Sequence, residues 1–166
     1  MSLLIYGLSL STMYIASTLY HNSKTANSRY NLRMFDMISI YILIAGSYTP
    51  FTLILLKDNQ GWLLFSIIWL LALFGIVWKV FTVGKYNLVT TSLYIFMGGL
   101  WLFFYESFVN QIPSDALWWI TAGCLTYLAG VIFYLLDNKL KYNHFIWHLF
   151  VLAASGCHYI SIYFYI

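Results

Sequence analysis

The sequence predicts an all-α fold, a polytopic bundle of transmembrane helices, and three observations lead to it. Of the 166 residues, 62% are hydrophobic and 8% are charged, and the mean hydropathy is +0.79. A soluble domain of this size has too much surface for its volume to hide so many apolar side chains. The apolar runs match the ~20 residues of a membrane-spanning helix and lack the alternation of barrel strands, so the spans are helices.

Six apolar runs are long enough to cross a membrane. The predicted spans are, roughly, 1–21, 32–56, 61–83, 88–109, 115–136 and 144–166. Because the connections are short, helices adjacent in sequence are expected to be neighbours within one integral membrane domain over residues 1–166.

The net charge and the cysteines argue against a nucleic-acid-binding protein and against a thiolate or redox site. The net charge of +3 is small and the basic residues are dispersed, which argues against a nucleic-acid partner. Cys124 and Cys157 lie within apolar runs and form no Cys-x-x-Cys pair. We interpret both as packing residues, because that placement argues against a thiolate metal site or a redox pair.

The basic residues predict the orientation in the membrane. Seven of the eight lie in or beside the first, third and fifth connections: Lys24, Arg29, Arg33, Lys79, Lys85, Lys139 and Lys141. The positive-inside rule makes the side of these seven cytoplasmic, whereas Lys57 is alone in the second connection. Six spans then put both termini outside. Since an outward N-terminus without a leader is unusual, we expect one further helix upstream and a seven-helix architecture.

Two histidines, His144 and His148, open the last apolar run. Residues four apart share one face of a helix and lie about 6 Å apart along its axis, so both imidazoles can reach one metal ion. Ionisable groups inside a membrane segment are costly and usually mark function. The pattern lacks the glutamate of His-Glu-x-x-His, so the mechanism of the soluble zinc proteases does not transfer.

Further candidates fall at the same predicted depth, near the cytoplasmic side. His21 ends the first span, and Asp36 lies about one turn into the second. Three histidines match a catalytic zinc site, which has three protein ligands and an open position. We therefore predict that Zn²⁺ binds His21, His144 and His148.

Asp36 and Ser17 complete the predicted site. Zinc would lower the pKa of its bound water towards ~7 and polarise a carbonyl oxygen, as metal-assisted hydrolysis requires. Asp36 is then the general base, or an acceptor that orients the water. Ser17, one helical turn from His21, is placed to donate a hydrogen bond to an oxyanion or to Asp36.

Other interpretations of these histidines stay open. Each one alone also fits an interfacial side chain that is hydrogen-bonded to a backbone carbonyl. Imidazole ligands suit iron or manganese as well as zinc. His158 follows His148 by ten residues, about 15 Å along a helix, which is too far to share the ion. We interpret His158 as a hydrogen-bonded core residue.

The Gly-Ser-Tyr-Thr-Pro stretch at 46–50 lies within the second span. Pro50 cannot donate to the carbonyl four residues before it, which predicts a bend, with Ser47 or Thr49 bonding the opened backbone. The bend is either structural or shapes a lipid-facing cavity beside the metal. The Gly-Gly pair at 98–99 permits a close approach between helices and more often serves packing than function.

Several of these features together resemble the hemolysin III family, bacterial members of the progestin and adipoQ receptor superfamily. In order, they are Ser17 and His21, Asp36 fifteen positions later, the stretch at 46–50, His144 and His148, and His158. No single motif is very specific, but their order and spacing are, and the resemblance covers essentially the whole chain from the family's second helix onward.

The resemblance implies a seven-helix bundle in the bacterial cell membrane. It implies zinc on His21, His144 and His148 near the cytoplasmic face, with Asp36 contacting the zinc-bound water and Ser17 close by. For relatives that include alkaline ceramidases, it implies hydrolysis of a lipid amide such as ceramide. For bacterial members it implies a cytolytic role or a role in membrane lipid homeostasis.

Three functions therefore compete. The first is a zinc-dependent hydrolase of lipid amide or ester bonds, with membrane lipids as its partners. The second is a cytolysin with a structural zinc, against which the spans offer no charged stripe to line a wide pore. The third is a receptor or membrane-lipid sensor whose metal supports a lipid-binding cavity, and the sequence does not separate it from the first.

Overall fold

The computed structural model describes the chain except for residues 57–58, 84 and 137–141 and the side chains of two residues, Asn59 and His144. Lys57, Lys139 and Lys141, which entered the orientation prediction, lie outside the described residues. All regular secondary structure in the described part is helical. The predicted all-α class is therefore confirmed.

Seven α-helices follow one another along the described chain. They are α1 (Ser2–Asn22), α2 (Ala26–Pro50), α3 (Asn59–Phe81), α4 (Asn87–Gly98), α5 (Tyr105–Gln111), α6 (Ser114–Leu135) and α7 (Asn143–Tyr165). A π-helical segment, Phe51–Leu55, extends α2, and a 3-10 segment, Leu100–Phe104, joins α4 to α5.

Six helical segments in the described part are long and apolar enough to cross a membrane. They are Ser2–Asn22, Ala26–Leu55, Gln60–Phe81, Asn87–Gln111, Ser114–Leu135 and Phe145–Tyr165. Their number agrees with the six predicted spans, and the second helix begins at Ala26, before the predicted start of its span at residue 32. Its first turns are polar, and a hydropathy pattern marks only the apolar part of a helix.

The chain divides into two compact units, Met1–Phe104 and Tyr105–Ile166. In the first unit, α1 and α2 run antiparallel and meet at a glycine. Gly46 lies so close to Ser9 that a Cβ atom would collide with the serine side chain. Near the other end of the pair, the Arg29 guanidinium lies 5.6 Å from the centre of the Tyr20 ring, a cation–π distance.

The next helix packs on α2 in the same way. The Tyr41 ring covers Gly75 of α3, where no side chain would fit. Further along, the Trp69 indole N–H donates to Thr49 Oγ1 at 3.2 Å. Moving forward along α2 thus moves backward along α3, so these two helices are also antiparallel.

Pro50 does not end the second span, which continues as the π-helical segment. In the turn before it, Ser47 Oγ and Thr49 Oγ1 each donate at 2.8 Å to backbone carbonyls, those of Ile44 and Ala45. Both hydroxyls thus satisfy backbone acceptors near the proline, as such side chains do in membrane helices.

Tyr48 ties this stretch to the end of α4. Its hydroxyl donates to the Gly98 carbonyl at 2.9 Å and accepts from the Trp101 amide at 3.2 Å. A Cβ atom on Gly98 would meet no described atom within 4 Å. The close helix approach that Gly98 permits is therefore not used among the described residues, and the glycine pair marks the change from α-helix to 3-10 helix, where a carbonyl becomes free to bind Tyr48.

In the second unit, α6 and α7 pack through two glycines of α6. Gly130 leaves room for Phe150 and Trp147, and Gly123 leaves room for the His158 ring. Hydrogen bonds join the same two helices: Tyr127 and Ser155 share one of 2.8 Å through their hydroxyls, and Ser161 Oγ donates to the Ala116 carbonyl at 3.1 Å. Small residues on one helix thus admit large residues of the other, as in membrane bundles.

Candidate metal site

The first two predicted site residues lie near the C-terminal end of α1. Ser17 is buried at 8% exposure, and His21, in the last turn, is exposed. The His21 ring lies 4.8 Å from the ring of its neighbour Tyr20, centre to centre. One turn of helix separates the serine from the histidine, so both point from α1 in nearly the same direction.

Asp36 lies on α2 and is half-buried. It stands ten residues after Ala26, the first residue of that helix, and not one turn inside it as the sequence predicts. Its backbone carbonyl accepts a hydrogen bond of 2.6 Å from Ser39 Oγ. The helix thus begins before the predicted membrane span, and the depth of Asp36 relative to α1 has to be taken from the packing.

The contact between Ser9 and Gly46 fixes that depth, because it sets the register of two antiparallel helices. At 1.5 Å per residue, His21 lies about 18 Å from this contact along α1. Asp36 lies about 15 Å from it along α2, in the same direction, and Ser17 about 12 Å along α1. Asp36 therefore falls at a level between Ser17 and His21.

The helical twist also places Ser17, His21 and Asp36 on one flank of the α1–α2 pair. At 100° per residue, Ser17 and His21 lie about 80° and 120° round α1 from Ser9, the residue that faces α2. Asp36 lies about 80° round α2 from Gly46, and because the helices are antiparallel this rotation leads to the same side. The first unit thus groups a hydroxyl, an imidazole and a carboxylate on one flank.

The other two predicted ligands belong to α7 of the second unit. His148 is half-buried, and His144 lies on the first turn of α7 with a side chain outside the described set. His158 packs on Gly123 of α6, whereas His148 is turned about 80° from His158 round the helix axis. What separates His158 from a site with His144 and His148 is the distance of about 15 Å along the helix axis, because His144 is turned only about 40° from each of the other two.

His158 differs from its prediction in one respect. Its ring lies between helices, 5.9 Å from the Tyr127 ring, as expected for a core residue. However, Nδ1 is buried and has no hydrogen-bond partner among the described residues. The interpretation of a hydrogen-bonded core histidine is thus not supported at this nitrogen.

The complete ligand set stays a prediction. Among the described side chains, no three from His, Cys, Asp and Glu form a metal-binding group. That search does not include the side chain of His144, and the predicted ligands are divided between the two units. By chemistry the donors suit zinc, since neutral imidazole is one of its preferred ligands and two of the three stand at the spacing of one helical turn.

The sequence missed one polar centre in the first unit. It treats Lys79 as a marker of orientation, yet the side chain is 0% exposed and Nζ donates to Thr90 Oγ1 at 3.2 Å. A longer contact of 3.4 Å reaches the Lys85 carbonyl. The only sequence signal was a lysine two residues before the end of an apolar run, which is also typical of an exposed interfacial residue.

Comparison with known protein families identifies the family of the chain. The model of the family described as haemolysin-III related matches residues 1–159. The chain belongs to the haemolysin-III-related family. The predicted resemblance to hemolysin III is thereby confirmed.

Individual relatives extend the match over nearly the whole chain. Hemolysin-3 of Bacillus cereus is 38% identical over 98% of this chain and 74% of its own length. The Hemolysin-3 homolog of Bacillus subtilis (strain 168) is 37% identical over 99% of this chain and 76% of its own. The human monocyte to macrophage differentiation factor is 32% identical over 98% of this chain and 69% of its own. No solved structure gives a significant match.

Proposed function

We propose that this haemolysin-III-related membrane protein is a zinc-dependent hydrolase of lipid amide or ester bonds. His21, His144 and His148 would hold the metal. The observation that supports the proposal most directly is the grouping of Ser17, His21 and Asp36 at one level and on one flank of α1 and α2. A hydroxyl, an imidazole and a carboxylate are the side chains that hydrolysis at a metal needs.

Each residue has a defined task in this proposal. When bound, zinc supplies Lewis acidity, which polarises the carbonyl group of the substrate. Asp36 accepts the proton of the attacking water and returns it to the leaving amine or alcohol. The Ser17 hydroxyl donates a hydrogen bond to the developing oxyanion, an interaction that is stronger in the transition state than in the ground state.

The substrate would be a membrane lipid that approaches sideways from the bilayer. Asp36 is half-buried within a helix that is apolar enough to span the membrane, which supports a carboxylate that a bilayer lipid can reach. Asp36 lies near the level at which α1 ends, and the connection that follows α1 contains the basic residue Lys24. By the positive-inside rule we place the site near the cytoplasmic side and the C-terminus outside.

The experiment combines metal analysis with an activity assay. The full chain is purified in detergent, its zinc content is measured, and hydrolysis of a fluorescent ceramide and of a fluorescent ester lipid is followed. We expect one zinc per chain and turnover of at least one lipid. Asp36→Asn should keep the zinc and lower turnover by about 10²- to 10⁴-fold, the usual contribution of a general base.

Two outcomes count against the proposal. A protein without zinc, prepared from zinc-replete cells, contradicts the metal site. Turnover in the Asp36→Asn variant at the level of the unchanged chain removes Asp36 from the mechanism, even if zinc is present.

A second candidate function follows from the names of two relatives, Hemolysin-3 and Hemolysin-3 homolog. In this alternative the chain lyses membranes and the metal is structural. The two are separated by dye release from liposomes that contain the purified protein. Release that persists after all three predicted ligands are replaced by alanine favours lysis, whereas lipid hydrolysis without dye release favours the hydrolase.

A further inference from the structure

A lysine is buried within the first unit, at the end of α3. Lys79 is 0% exposed, and its two hydrogen-bond acceptors, Thr90 Oγ1 and the Lys85 carbonyl, are neutral oxygens at 3.2 and 3.4 Å. A lysine near the end of a membrane span normally extends its ammonium group to the interface. A cation that is instead buried with neutral partners is costly and points to a function that uses the charge.

A second cation acts on Lys79. Arg33 of α2 is near enough for its guanidinium to interact electrostatically with the ammonium group. The contact of Tyr41 with Gly75 explains why: Arg33 lies about 12 Å from it along α2 and Lys79 about 6 Å from it along α3, both in the same direction. Two like charges repel each other. An anion bound beside them would attract both and so offset that repulsion.

A cleft begins at the same place. It has a volume of about 100 Å³ and is lined by Tyr41, Phe74, Trp78, Val89, Thr90 and Leu93. Thr90, which accepts the hydrogen bond of Lys79, is therefore shared by the cleft and the buried charge. Phe74 and Val89 are 60% and 53% exposed, so the cleft opens onto the outer, apolar surface of the helices.

Two residues of the cleft lining each carry a polar atom that is buried beneath the apolar wall without a hydrogen-bond partner in the described part of the chain. These atoms are the Tyr41 hydroxyl and the Trp78 indole nitrogen. Tyr41 is 0% exposed, and its hydroxyl lies near the hydroxyls of Thr90 and Tyr94. Buried donors without partners are rare in folded proteins and need an explanation, such as a ligand that is not a protein atom.

We propose that this cleft binds an anionic glycerophospholipid. The phosphate lies beside Lys79 and Arg33, an ester carbonyl accepts from Tyr41 or Trp78, and an acyl chain leaves past Phe74 and Val89. A free phosphate ion would not use the apolar lining, and a neutral lipid would not use the buried ammonium. Basic pockets between transmembrane helices are known to bind acidic headgroups. The site uses none of the predicted metal ligands and is independent of the proposed hydrolysis.

The test measures lipid binding to the full chain in detergent, by native mass spectrometry and by the melting temperature. Phosphatidylglycerol is compared with phosphatidylcholine of the same acyl chains, with the diether analogue of phosphatidylglycerol, and with inorganic phosphate. We expect phosphatidylglycerol to bind and to raise the melting temperature, phosphatidylcholine to do neither, and the diether, which lacks both carbonyls, to bind more weakly. These comparisons need no variant and so do not depend on whether a variant folds.

Single substitutions test which residues bind the lipid. Lys79→Met should weaken phosphatidylglycerol binding by about tenfold or more, as loss of a hydrogen bond to a charged group does. Tyr41→Phe should weaken the binding of phosphatidylglycerol, which has ester carbonyls, and should leave the binding of its diether analogue unchanged. Lys24→Met is the matched control, because Lys24 is an exposed lysine of the first connection, and its loss should leave binding unchanged.

Defined results would overturn the proposal. Equal binding of phosphatidylglycerol and phosphatidylcholine removes the role of the charge. Equal weakening by Lys79→Met and Lys24→Met indicates nonspecific attraction to a basic surface. Inorganic phosphate that binds as tightly as the lipid, or displaces it completely at equal concentration, identifies a free anion as the ligand instead.

Discussion

Ser9 of α1 lies against Gly46 of α2 so closely that no Cβ atom fits at the glycine. The Ser9 hydroxyl donates to the Tyr6 carbonyl of its own helix at 2.7 Å, which keeps the side chain compact. This contact sets the register of the two helices and, through it, the common level of His21 and Asp36. Packing about 12–18 Å from the candidate residues therefore decides the level at which they lie relative to one another.

Replacing Gly46 with alanine should disturb that register. The new methyl group must displace Ser9 or push the two helices apart, and overpacking of this kind costs about 1–3 kcal/mol. We expect a lower melting temperature in detergent. If the register carries the proposed metal site, we also expect a weaker affinity for zinc.

Gly7→Ala is the matched control for this experiment. Gly7 lies on the exposed side of α1, about 160° round the helix from Ser9, and a Cβ atom there meets nothing described within 4 Å. Alanine is the better helix former by about 1 kcal/mol, so this variant should be as stable as the unchanged chain or more so. Equal destabilisation by both substitutions would show that the Ser9–Gly46 contact is not special.

The histidines of α7 should differ in their effect on the metal. His148→Ala should lower zinc affinity by more than about 100-fold, because even residues that only support a metal ligand contribute about 10- to 100-fold. His158→Ala should keep the zinc, since His158 lies about 15 Å from His148 along the helix axis and packs on Gly123. The measurement is zinc content after dialysis against a graded chelator. Loss of zinc from His158→Ala alone would reverse the assignment.

Six spans could be predicted from the sequence because hydrocarbon thickness and hydropathy leave few alternatives. The register between the spans could not be predicted in this way. Asp36 was expected one turn into its helix, yet α2 begins ten residues earlier, and the shared level with His21 survives only because residues 37 positions apart, Ser9 and Gly46, touch. Such a contact depends on the shape of both helices, which hydropathy does not record.

The buried lysine illustrates a second limit. A lysine at the end of an apolar run is read as a charge that faces the aqueous side. Its burial depends on α4, whose Thr90 accepts its hydrogen bond from eleven residues further along. The predicted grouping of His21 with the histidines of α7 joins two units, and it therefore stays a prediction from motif order and depth.

Ser17→Ala tests the proposed oxyanion contact. Removal of one donor to an oxyanion typically lowers kcat by about 10²- to 10³-fold. We expect this loss in kcat with little change in KM or zinc content, because the contact strengthens only in the transition state. Ser11→Ala is a suitable control, since Ser11 is exposed on the same helix and bonds only the Gly7 carbonyl in the described structure, at 2.9 Å. A similar loss of activity in both variants would point to a general disturbance of α1.

The predicted orientation can be tested by cysteine labelling. In a background without Cys124 and Cys157, Asn27→Cys reports on the connection after α1 and Ser114→Cys on the connection before α6; both positions are exposed. We expect a membrane-impermeant maleimide to label Ser114→Cys in intact cells and Asn27→Cys only in inverted vesicles. The opposite pattern would place the candidate metal site on the outer side.

The last prediction concerns Tyr48, which joins α2 to the end of α4. Its hydroxyl bonds both the Gly98 carbonyl and the Trp101 amide, at 2.9 and 3.2 Å, so Tyr48→Phe removes two hydrogen bonds in a part-buried site. We expect a loss of about 1–3 kcal/mol of stability, measured by thermal or denaturant unfolding in detergent. Tyr30→Phe, at a position that is 54% exposed, should change stability by less than about 0.5 kcal/mol. If Tyr48→Phe changes stability as little as Tyr30→Phe does, the stretch at 46–50 does not stabilise the first unit through its tyrosine. A role of this stretch in binding lipid then becomes the better explanation.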